Sequence, residues 1–206
     1  MKKLSTNTAL IVVDLQMGFD DPKWGARNNP QAEACVATLL EAWRGARAPV
    51  VHVHHRSASL DGSFRPGTSG SQPKPEAIPR DGELVVEKWV NSAFIGTSLE
   101  ADLRSLKVET VVIVGLTTNH CVSTTVRMAG NLGFETYVVA DASATFDRAG
   151  ADGRLRPADE GHNAALGDLQ GEFAVVVDTK TIVTALTASL APLARSDRER
   201  VSGPLP

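Results

Sequence analysis

The sequence predicts a single three-layer α/β/α domain built on a six-stranded, mostly parallel sheet, and two observations carry that prediction. The sequence contains six short apolar runs in which polar residues do not alternate with apolar ones. Most of these runs are separated by segments whose apolar residues recur at helical spacing. An unbroken apolar run is typical of a strand covered on both faces. Strands of that kind alternating with helices are typical of a parallel sheet between two helical layers.

The first strand and the first helix illustrate the two patterns. The run TALIVV occupies residues 8–13 and is apolar almost throughout. Within 30–47, Cys35, Leu39 and Trp43 recur at intervals of four and share one helical face, until a proline ends the element. We expect Cys35 to be a core residue.

The later elements continue the alternation to the end of the predicted domain. In chain order they are strand two at 50–54, strand three at 83–88, a helix at 97–106, strand four at 110–115, a helix at 119–132, strand five at 136–141, a helix at 158–170, strand six at 173–178 and a helix at 181–190. For a doubly wound sheet of this kind we expect the strand order 3-2-1-4-5-6.

Two segments stand apart from this pattern. Residues 57–81 are rich in Gly, Pro and Ser and long for a connector, which indicates a functional loop or a subunit contact. Residues 193–206 are polar and contain Pro and Gly, so we interpret them as a C-terminal tail following one domain at 1–192.

Composition argues against several classes of partner. The chain has 24 acidic and 21 basic residues and no basic run, which argues against nucleic acid. No apolar segment is long enough to cross a bilayer, and two cysteines are too few for a disulfide framework, so we expect a cytoplasmic protein. The absence of a G-x-G-x-x-G motif disfavours a dinucleotide oxidoreductase, and neither a cofactor nor a resident metal is predicted.

Three chemistry-bearing residues follow predicted strands. Asp14 follows strand one, Lys88 ends strand three, and Cys121 comes a few residues after strand four, at the start of a helix. The carboxyl ends of parallel strands meet at one sheet edge, where ligands of open α/β sheets bind. We therefore expect the three side chains to converge there, with Lys88 reaching furthest.

Each residue type suits a step of nucleophilic hydrolysis. A helix N-terminus and a neighbouring cation both favour the thiolate, so we expect Cys121 to be a nucleophile activated by Lys88. Asp14 can accept the thiol proton and later activate a water molecule. Main-chain amides in the turn up to Cys121 can bind an oxyanion. Taken alone, Cys121 would be read as a buried apolar residue.

Three ordered motifs resemble the isochorismatase-like cysteine hydrolases, namely IVVDLQMGF, VEKWVNSAF and the segment VIVGLTTNHCVSTTVRMAGNLGFETYVVADASATF. The resemblance implies a catalytic triad of Asp14, Lys88 and Cys121. It also implies a non-proline cis peptide between Leu116 and Thr117, which directs the Thr117 amide, together with that of Cys121, toward the oxyanion. Relatives commonly form oligomers, so we expect a homodimer or homotetramer.

Two branches of the family differ from this chain. Isochorismatases proper are similar but lack the cysteine, so its presence favours amide-type hydrolysis through a thioester over vinyl-ether cleavage. Nicotinamidases are similar but carry an Asp-x-His pair and a further His that bind a metal after strand two. Here that place reads HVHHRS, and His52 and His54 have no third ligand at a recognisable spacing. A metal-assisted amidase remains an alternative.

Aromatic residues cluster on the loops of the predicted active edge, after strands one, three and five, and predict a small, partly flat, uncharged or weakly charged substrate. The substrate-binding candidates are Phe19, Trp24, Trp89, Phe94, His120 and Phe146. The aromatic side chains could instead anchor an oligomer, and His120 could be an exposed residue at a helix start.

The leading hypothesis is hydrolysis of a carbon–nitrogen bond in a small amide or carbamoyl compound. Cys121 is the nucleophile, Asp14 the general base and Lys88 the activating cation. A non-catalytic binding protein on the same fold is the remaining alternative, which an unreactive Cys121 would indicate.

Overall fold

A computed structural model describes residues 3–188, and its six-stranded sheet is parallel throughout. The strands of the sheet are β1 (Ala9–Val13), β2 (Val50–His55), β3 (Leu84–Lys88), β4 (Thr110–Leu116), β5 (Glu135–Ala144) and β8 (Val175–Val177). The helices are α1 (Ala32–Ala46), α2 (Leu99–Ser105), α3 (Ser123–Asn131), α4 (Ala158–Leu169) and α5, which runs from 179 to 188, the last described residue. Two short strands, β6 (Arg148–Ala149) and β7 (Leu155–Arg156), form a separate antiparallel pair.

The strand order is β3-β2-β1-β4-β5-β8, which confirms the predicted order with β8 as the sixth strand. The direction in which successive strands are added to the sheet reverses between β1 and β4, since β2 and β3 lie on one side of β1 and β4, β5 and β8 lie on the other. There Val13 lies opposite Val53 on one side and Gly115 on the other. The residue after Val13 therefore leaves the sheet at the switch point where α/β proteins bind ligands.

The two faces of the sheet carry separate apolar cores. Leu10 and Val12 of β1 belong to the cluster that contains the apolar faces of α1 and α5. Ala9, Ile11 and Val13 belong to the cluster that contains those of α2, α3 and α4. Successive strand residues point to opposite faces, so the continuous apolar run of β1 fills both cores, and the three-layer prediction is confirmed.

The structure adds local detail that the sequence pattern did not predict. The helix predicted at 119–132 begins as a π-helix, Thr118–Val122, before α3 starts. Strand β5 extends to Ala144, beyond its predicted end, and the β6–β7 hairpin was not predicted because each strand has two residues. The predicted tail at 193–206 and the predicted domain end at 192 lie outside the described residues.

The Gly/Pro/Ser-rich segment 57–81 is tied to the ends of β1 and β2. The buried side chain of Gln16 donates to the Ser71 carbonyl at 3.0 Å and accepts from the His55 amide at 2.7 Å. The Lys74 amide donates to the Leu15 carbonyl at 2.9 Å. These bonds hold the segment over the carboxyl edge of the sheet, where it presents Phe64, a buried aromatic side chain.

Within residues 3–188, none of the helices has both the length and the apolar character needed to cross a bilayer.

Candidate active site

The ammonium group of Lys88 joins the three residues that the sequence singled out. Lys88 Nζ lies 2.7 Å from Asp14 Oδ2 and 3.3 Å from Cys121 Sγ. Lys88 ends the edge strand β3, two strands away from β1, so its side chain extends across the end of β2 to reach Asp14. The Lys88 and Asp14 side chains are 0% and 1% exposed. The expected convergence at one sheet edge is therefore seen in the structure.

His55 is a third partner of the ammonium group. Its Nδ1 lies 3.1 Å from Lys88 Nζ, and the two residues are direct partners in the β2–β3 register. Lysine can only donate, so Nδ1 accepts and the ring proton sits on Nε2. Burial, followed by the charge of Lys88, lowers the pKa of His55 to about 4, which keeps the imidazole neutral. The three N–H bonds of the ammonium therefore meet three acceptors.

Asp14 has an unusual main-chain conformation and an unpartnered oxygen. Its φ is 52°, in the left-handed region, while its amide still donates to the Val53 carbonyl at 2.8 Å. Among the residues described, nothing hydrogen-bonds to its buried Oδ1. Burial raises the pKa of this carboxyl group, and the charge of Lys88 opposes the rise. A buried oxygen that lacks a donor is well suited to receive a proton.

Cys121 lies inside the π-helix, a rare element that is frequent at functional sites. Burial, followed by the negative charge of Asp14, raises the pKa of its thiol to about 12, against the opposing effect of Lys88. The sequence led us to expect a resting thiolate. The structure instead favours a protonated thiol, because the Asp14 carboxylate already neutralises the Lys88 cation and a second anion beside it would be uncompensated.

The main chain before Cys121 is shaped by a close approach between β4 and β1. The peptide bond between Leu116 and Thr117 is cis. At Gly115, φ is 119°, and a Cβ atom would lie 2.0 Å from the Val13 carbonyl oxygen, so only glycine fits without a shift. Thr117 Oγ1 lies 3.0 Å from His120 Nδ1.

A cavity of about 240 Å³, which we call the catalytic cavity, opens onto these groups. It is lined by Asp14, Phe19, Trp24, His55, Phe64, Asn91, Thr117, His120 and Cys121. The rings of Phe19 and Phe64 form one wall, with centroids 4.7 Å apart, and Trp24 packs on Phe19 at 5.1 Å. The wall is therefore aromatic and the floor is polar.

An adjoining cavity of about 280 Å³, the bridging cavity, shares Trp24, Thr117 and His120 with the catalytic cavity. Phe146 lines it and stacks on Phe19 with centroids 5.8 Å apart. Four of the substrate-binding candidates thus line one cavity or both.

The other two candidates lie elsewhere. The chain after Lys88 turns toward α3, where the Ala93 amide donates to Thr125 Oγ1 at 3.1 Å. Phe94 consequently packs against Phe134 at 6.1 Å, and Trp89 is 57% exposed to solvent. Neither residue lines the catalytic or the bridging cavity.

Phe64, Asn91 and His55 also line the catalytic cavity and are not among the predicted substrate-binding residues. The place of His55 at the end of strand two is compatible with a contact to a substrate carboxylate and equally with a solvated loop, and the structure places it in the lining of the catalytic cavity. Phe64 lies within the long segment 57–81 and had no strand-end position to mark it.

The two histidines considered as metal ligands lie away from the cavities. His52 Nε2 is 2.8 Å from Glu83 Oε2, and His54 is buried within β2. A different group, formed by Asp14, His55 and Cys121, has ligand-type atoms within 4.8 Å of one another. The Lys88 ammonium already contacts all three residues, so positive charge is supplied to this group by the chain itself.

Comparison with known proteins places these features in a family. The family model of the isochorismatase domain matches residues 8–181. The isochorismatase family protein YrdC of Bacillus subtilis is 45% identical over 85% of this chain and 94% of its own length. Nicotinamidase 3 of Arabidopsis thaliana is 30% identical over 82% of this chain and 84% of its own length.

Solved structures agree with the sequence relatives. A crystal structure of an isochorismatase-family protein from Chromobacterium violaceum superposes with a TM-score of 0.88 and 44% identity, covering 91% of this chain and 97% of that one. The order of the sheet, the family model and these relatives lead to one conclusion: the chain belongs to the isochorismatase family of hydrolases.

Proposed function

We propose that this protein hydrolyses the carbon–nitrogen bond of a small amide or carbamoyl compound through a thioester at Cys121. The observation that carries the proposal is the placement of the Lys88 ammonium between Asp14 Oδ2 and Cys121 Sγ, beside the unpartnered Asp14 Oδ1. The family relationship to a nicotinamidase supports an amide substrate.

The first step is a proton transfer that leaves the charge of the site unchanged. The Cys121 thiol gives its proton to Asp14, so that one buried anion replaces another beside the Lys88 cation. Because no net charge is created in the buried site, the raised pKa values of both acids do not prevent the transfer. The thiolate then attacks the substrate carbonyl carbon and forms a carbon–sulfur bond.

The tetrahedral intermediate places negative charge on the former carbonyl oxygen. In the proposal, the main-chain amides of Thr117 and Cys121 donate to this oxygen, since both residues line the catalytic cavity. Removal of one donor of this kind typically costs about 10²-fold or more in rate.

The intermediate collapses when the carbon–nitrogen bond breaks and Asp14 gives its proton to the departing nitrogen. Ammonia or an amine leaves, and the acyl group remains on Cys121. Asp14 then takes a proton from a water molecule, whose oxygen attacks the thioester. The carbon–sulfur bond breaks, the acid is released, and the Asp14 proton returns to sulfur.

The cavity indicates the size and character of the reacting end of the substrate. Its volume of about 240 Å³ fits a small acyl group, and the aromatic wall of Phe19, Trp24 and Phe64 suits a flat, apolar surface. The site already holds paired charges, so an uncharged reacting group enters the catalytic cavity at lower desolvation cost than an ionic one.

The test is ammonia release from a panel of primary amides and carbamoyl compounds. We expect Cys121→Ala to lower kcat by about 10³-fold or more, whereas Cys35→Ala, which changes the other cysteine, leaves kcat near the wild-type value. Intact-mass analysis after rapid acid quench should show an acyl adduct on the wild type. Undiminished turnover by Cys121→Ala would contradict the thioester route.

A metal-assisted amidase is a second candidate, favoured by the proximity of Asp14, His55 and Cys121. It predicts stoichiometric metal in the purified protein and loss of activity with a chelator. Activity that is unchanged by the chelator, together with a large effect of Lys88→Ala, supports the ammonium-based mechanism instead.

A further inference from the structure

Two arginine side chains lie opposite each other on the β6–β7 hairpin. Arg148 and Arg156 are direct partners in its antiparallel register. Like charges in this position repel and destabilise a two-stranded ladder. Two nearby arginines form ion pairs. Arg127 lies 3.7 Å from the Asp168 carboxylate, and Arg154 lies 3.9 Å from the Asp152 carboxylate.

The positive charges of Arg148 and Arg156 are not compensated in this way. In the part of the chain that the structure describes, no carboxylate lies within ion-pair distance of Arg148 or Arg156. Two guanidinium groups in register without an anion form an arrangement that an anionic ligand would stabilise.

The hairpin borders a cavity that adjoins the cavities around the site of chemistry. This arginine cavity, of about 610 Å³, is lined by Arg148, Arg156 and Arg127, with Asp168 as its carboxylate. It shares His120 and Arg148 with the bridging cavity, which in turn shares His120 with the catalytic cavity. The three cavities therefore adjoin one another around His120, which lies between Cys121 and the hairpin.

Arg148 also fixes the side chain that separates these cavities. Its guanidinium contacts His120 Nε2, and arginine can only donate, so this nitrogen accepts. The proton of the neutral ring then lies on Nδ1 and is donated to Thr117 Oγ1 at 3.0 Å. Burial and the charge of Arg148 lower the pKa of His120, which keeps the imidazole uncharged beside the Arg148 guanidinium.

The carboxylate that lines the bridging cavity is already engaged. Asp147 lines the bridging cavity, but its Oδ1 accepts from the Ala158 amide at 2.7 Å, at the start of α4. It is therefore held by the helix rather than by the hairpin arginines.

From this arrangement we infer that the substrate carries an anionic group, a carboxylate or a phosphate-like group, that binds between Arg148 and Arg156 while its amide carbon lies at Cys121. The inference rests on the proposed function and narrows it to anionic amides. It assigns Arg156 as a specificity-determining residue and Arg148 as both an anion ligand and a positioning residue for His120.

The experiment compares amides of graded length that end in a carboxylate, a phosphonate or a methyl group. The carboxylate series runs from malonamate to adipamate, and the phosphonate and alkyl series match it in length. Each compound is assayed for ammonia release with the wild type, Arg156→Gln and Arg154→Gln. Arg154 is the matched control, because it lies on the same hairpin but does not line the arginine cavity.

We expect the wild type to prefer one anionic series over the alkyl series by about 10-fold or more in kcat/KM, as a charge-assisted hydrogen bond allows. Arg156→Gln should remove most of that preference by raising KM for the anionic amides, while their kcat and the hydrolysis of the alkyl amides stay unchanged. Arg154→Gln should preserve the preference. The preferred series identifies the anion as a carboxylate or a phosphate-like group. No preference in the wild type, or equal losses in both variants, would overturn the inference.

A binding measurement separates this inference from the proposed function. Titration of each compound, followed by Trp fluorescence, reports binding without turnover. Anion binding weakened in Arg156→Gln but not in Arg154→Gln, with no ammonia released, would support the anion site and refute amide hydrolysis. Turnover of alkyl and anionic amides alike, with the same affinities in all variants, would refute the anion site alone.

Discussion

Lys88 Nζ lies 2.7 Å from Asp14 Oδ2, and this pair is enclosed at the carboxyl edge of the sheet with side chains 0% and 1% exposed. Removal of one partner from a buried ion pair leaves an uncompensated charge, which typically costs about 3–5 kcal/mol. The pair therefore contributes to stability as well as to the proposed chemistry.

Lys88→Met should lower the free energy of unfolding by about 3 kcal/mol or more. The double variant Asp14→Asn/Lys88→Met should recover part of the loss, because neither charge is then left alone. Urea denaturation of the wild type, both single variants and the double variant measures the coupling.

An exposed pair in the same chain serves as the control. Lys23 and Asp21 are 3.2 Å apart with side chains 50% and 41% exposed, so Lys23→Met should change stability by less than about 1 kcal/mol. Equal effects of Lys88→Met and Lys23→Met would show that the Lys88 pair is not enclosed in solution.

The resting thiol of Cys121 should react slowly with iodoacetamide at neutral pH, because burial and Asp14 raise its pKa to about 12. Asp14→Asn removes a negative charge and should lower this pKa, so alkylation begins at lower pH. Lys88→Met removes a positive charge and should raise it. Rates measured against pH by intact mass, in a Cys35→Ala background, give the three profiles.

An apparent pKa for wild-type Cys121 below that of a free thiol, about 8.5, would contradict the protonated resting state. An unchanged profile in Asp14→Asn would show that burial alone sets the pKa.

The convergence of Asp14, Lys88 and Cys121 could be predicted because it depends only on topology. Strands β1, β3 and β4 are parallel, so their carboxyl ends share one edge whatever the details of packing. Lys88 could be placed in the site from its position alone because its long side chain spans the intervening strand.

The aromatic lining depended on tertiary contacts and was predicted only in part. Phe94 follows Lys88 in sequence, but the bond from Ala93 to Thr125 turns that segment into the core. Phe64 reaches the cavity because Gln16 holds the segment 57–81 over the sheet edge. Neither bond leaves a periodic signal in the sequence.

The protonation state of Cys121 could not be predicted from the sequence, for a different reason. Helix starts and neighbouring cations are visible in the order of residues, and both favour a thiolate. The depth of burial and the distance to Asp14 are not visible there, and these two effects outweigh the cation.

Acid should weaken the ion pairs that join Glu33 of α1 to Arg27 and Lys74. Burial would raise the pKa of Glu33, but hydrogen bonds from Arg27 and Lys74 outweigh it and lower this pKa from 4.5 to about 2. A lowered pKa stabilises the fold above the unfolded value, and that contribution is lost as pH falls from 4.5 toward 2.

Glu33→Gln should therefore lower stability at pH 7 by about 2–3 kcal/mol and flatten the acid limb of the stability profile. Chemical denaturation at several pH values between neutrality and pH 3 measures this. Glu172→Gln, at an exposed position, is the control. An acid limb of unchanged slope in Glu33→Gln would assign the acid sensitivity to other groups.

Gly115→Ala should disturb both the fold and the site. The added Cβ would lie 2.0 Å from the Val13 carbonyl oxygen, and φ at Gly115 is 119°, so β4 must move away from β1. Overpacking of this kind typically costs about 1–3 kcal/mol, to which the positive φ adds strain.

The shift of β4 in Gly115→Ala would displace the chain on both sides of the site, because Asp14 follows Val13 and Thr117 follows β4. We expect a lower unfolding midpoint in urea and a kcat reduced by about 10²-fold, the effect that a misplacement of about 1 Å can have. Gly167 lies within α4 with open space around its Cβ position, so Gly167→Ala should leave kcat unchanged and raise stability by about 0.5–1 kcal/mol. If both alanine variants retained wild-type kcat, close packing of β4 against β1 would not be needed to align the catalytic groups.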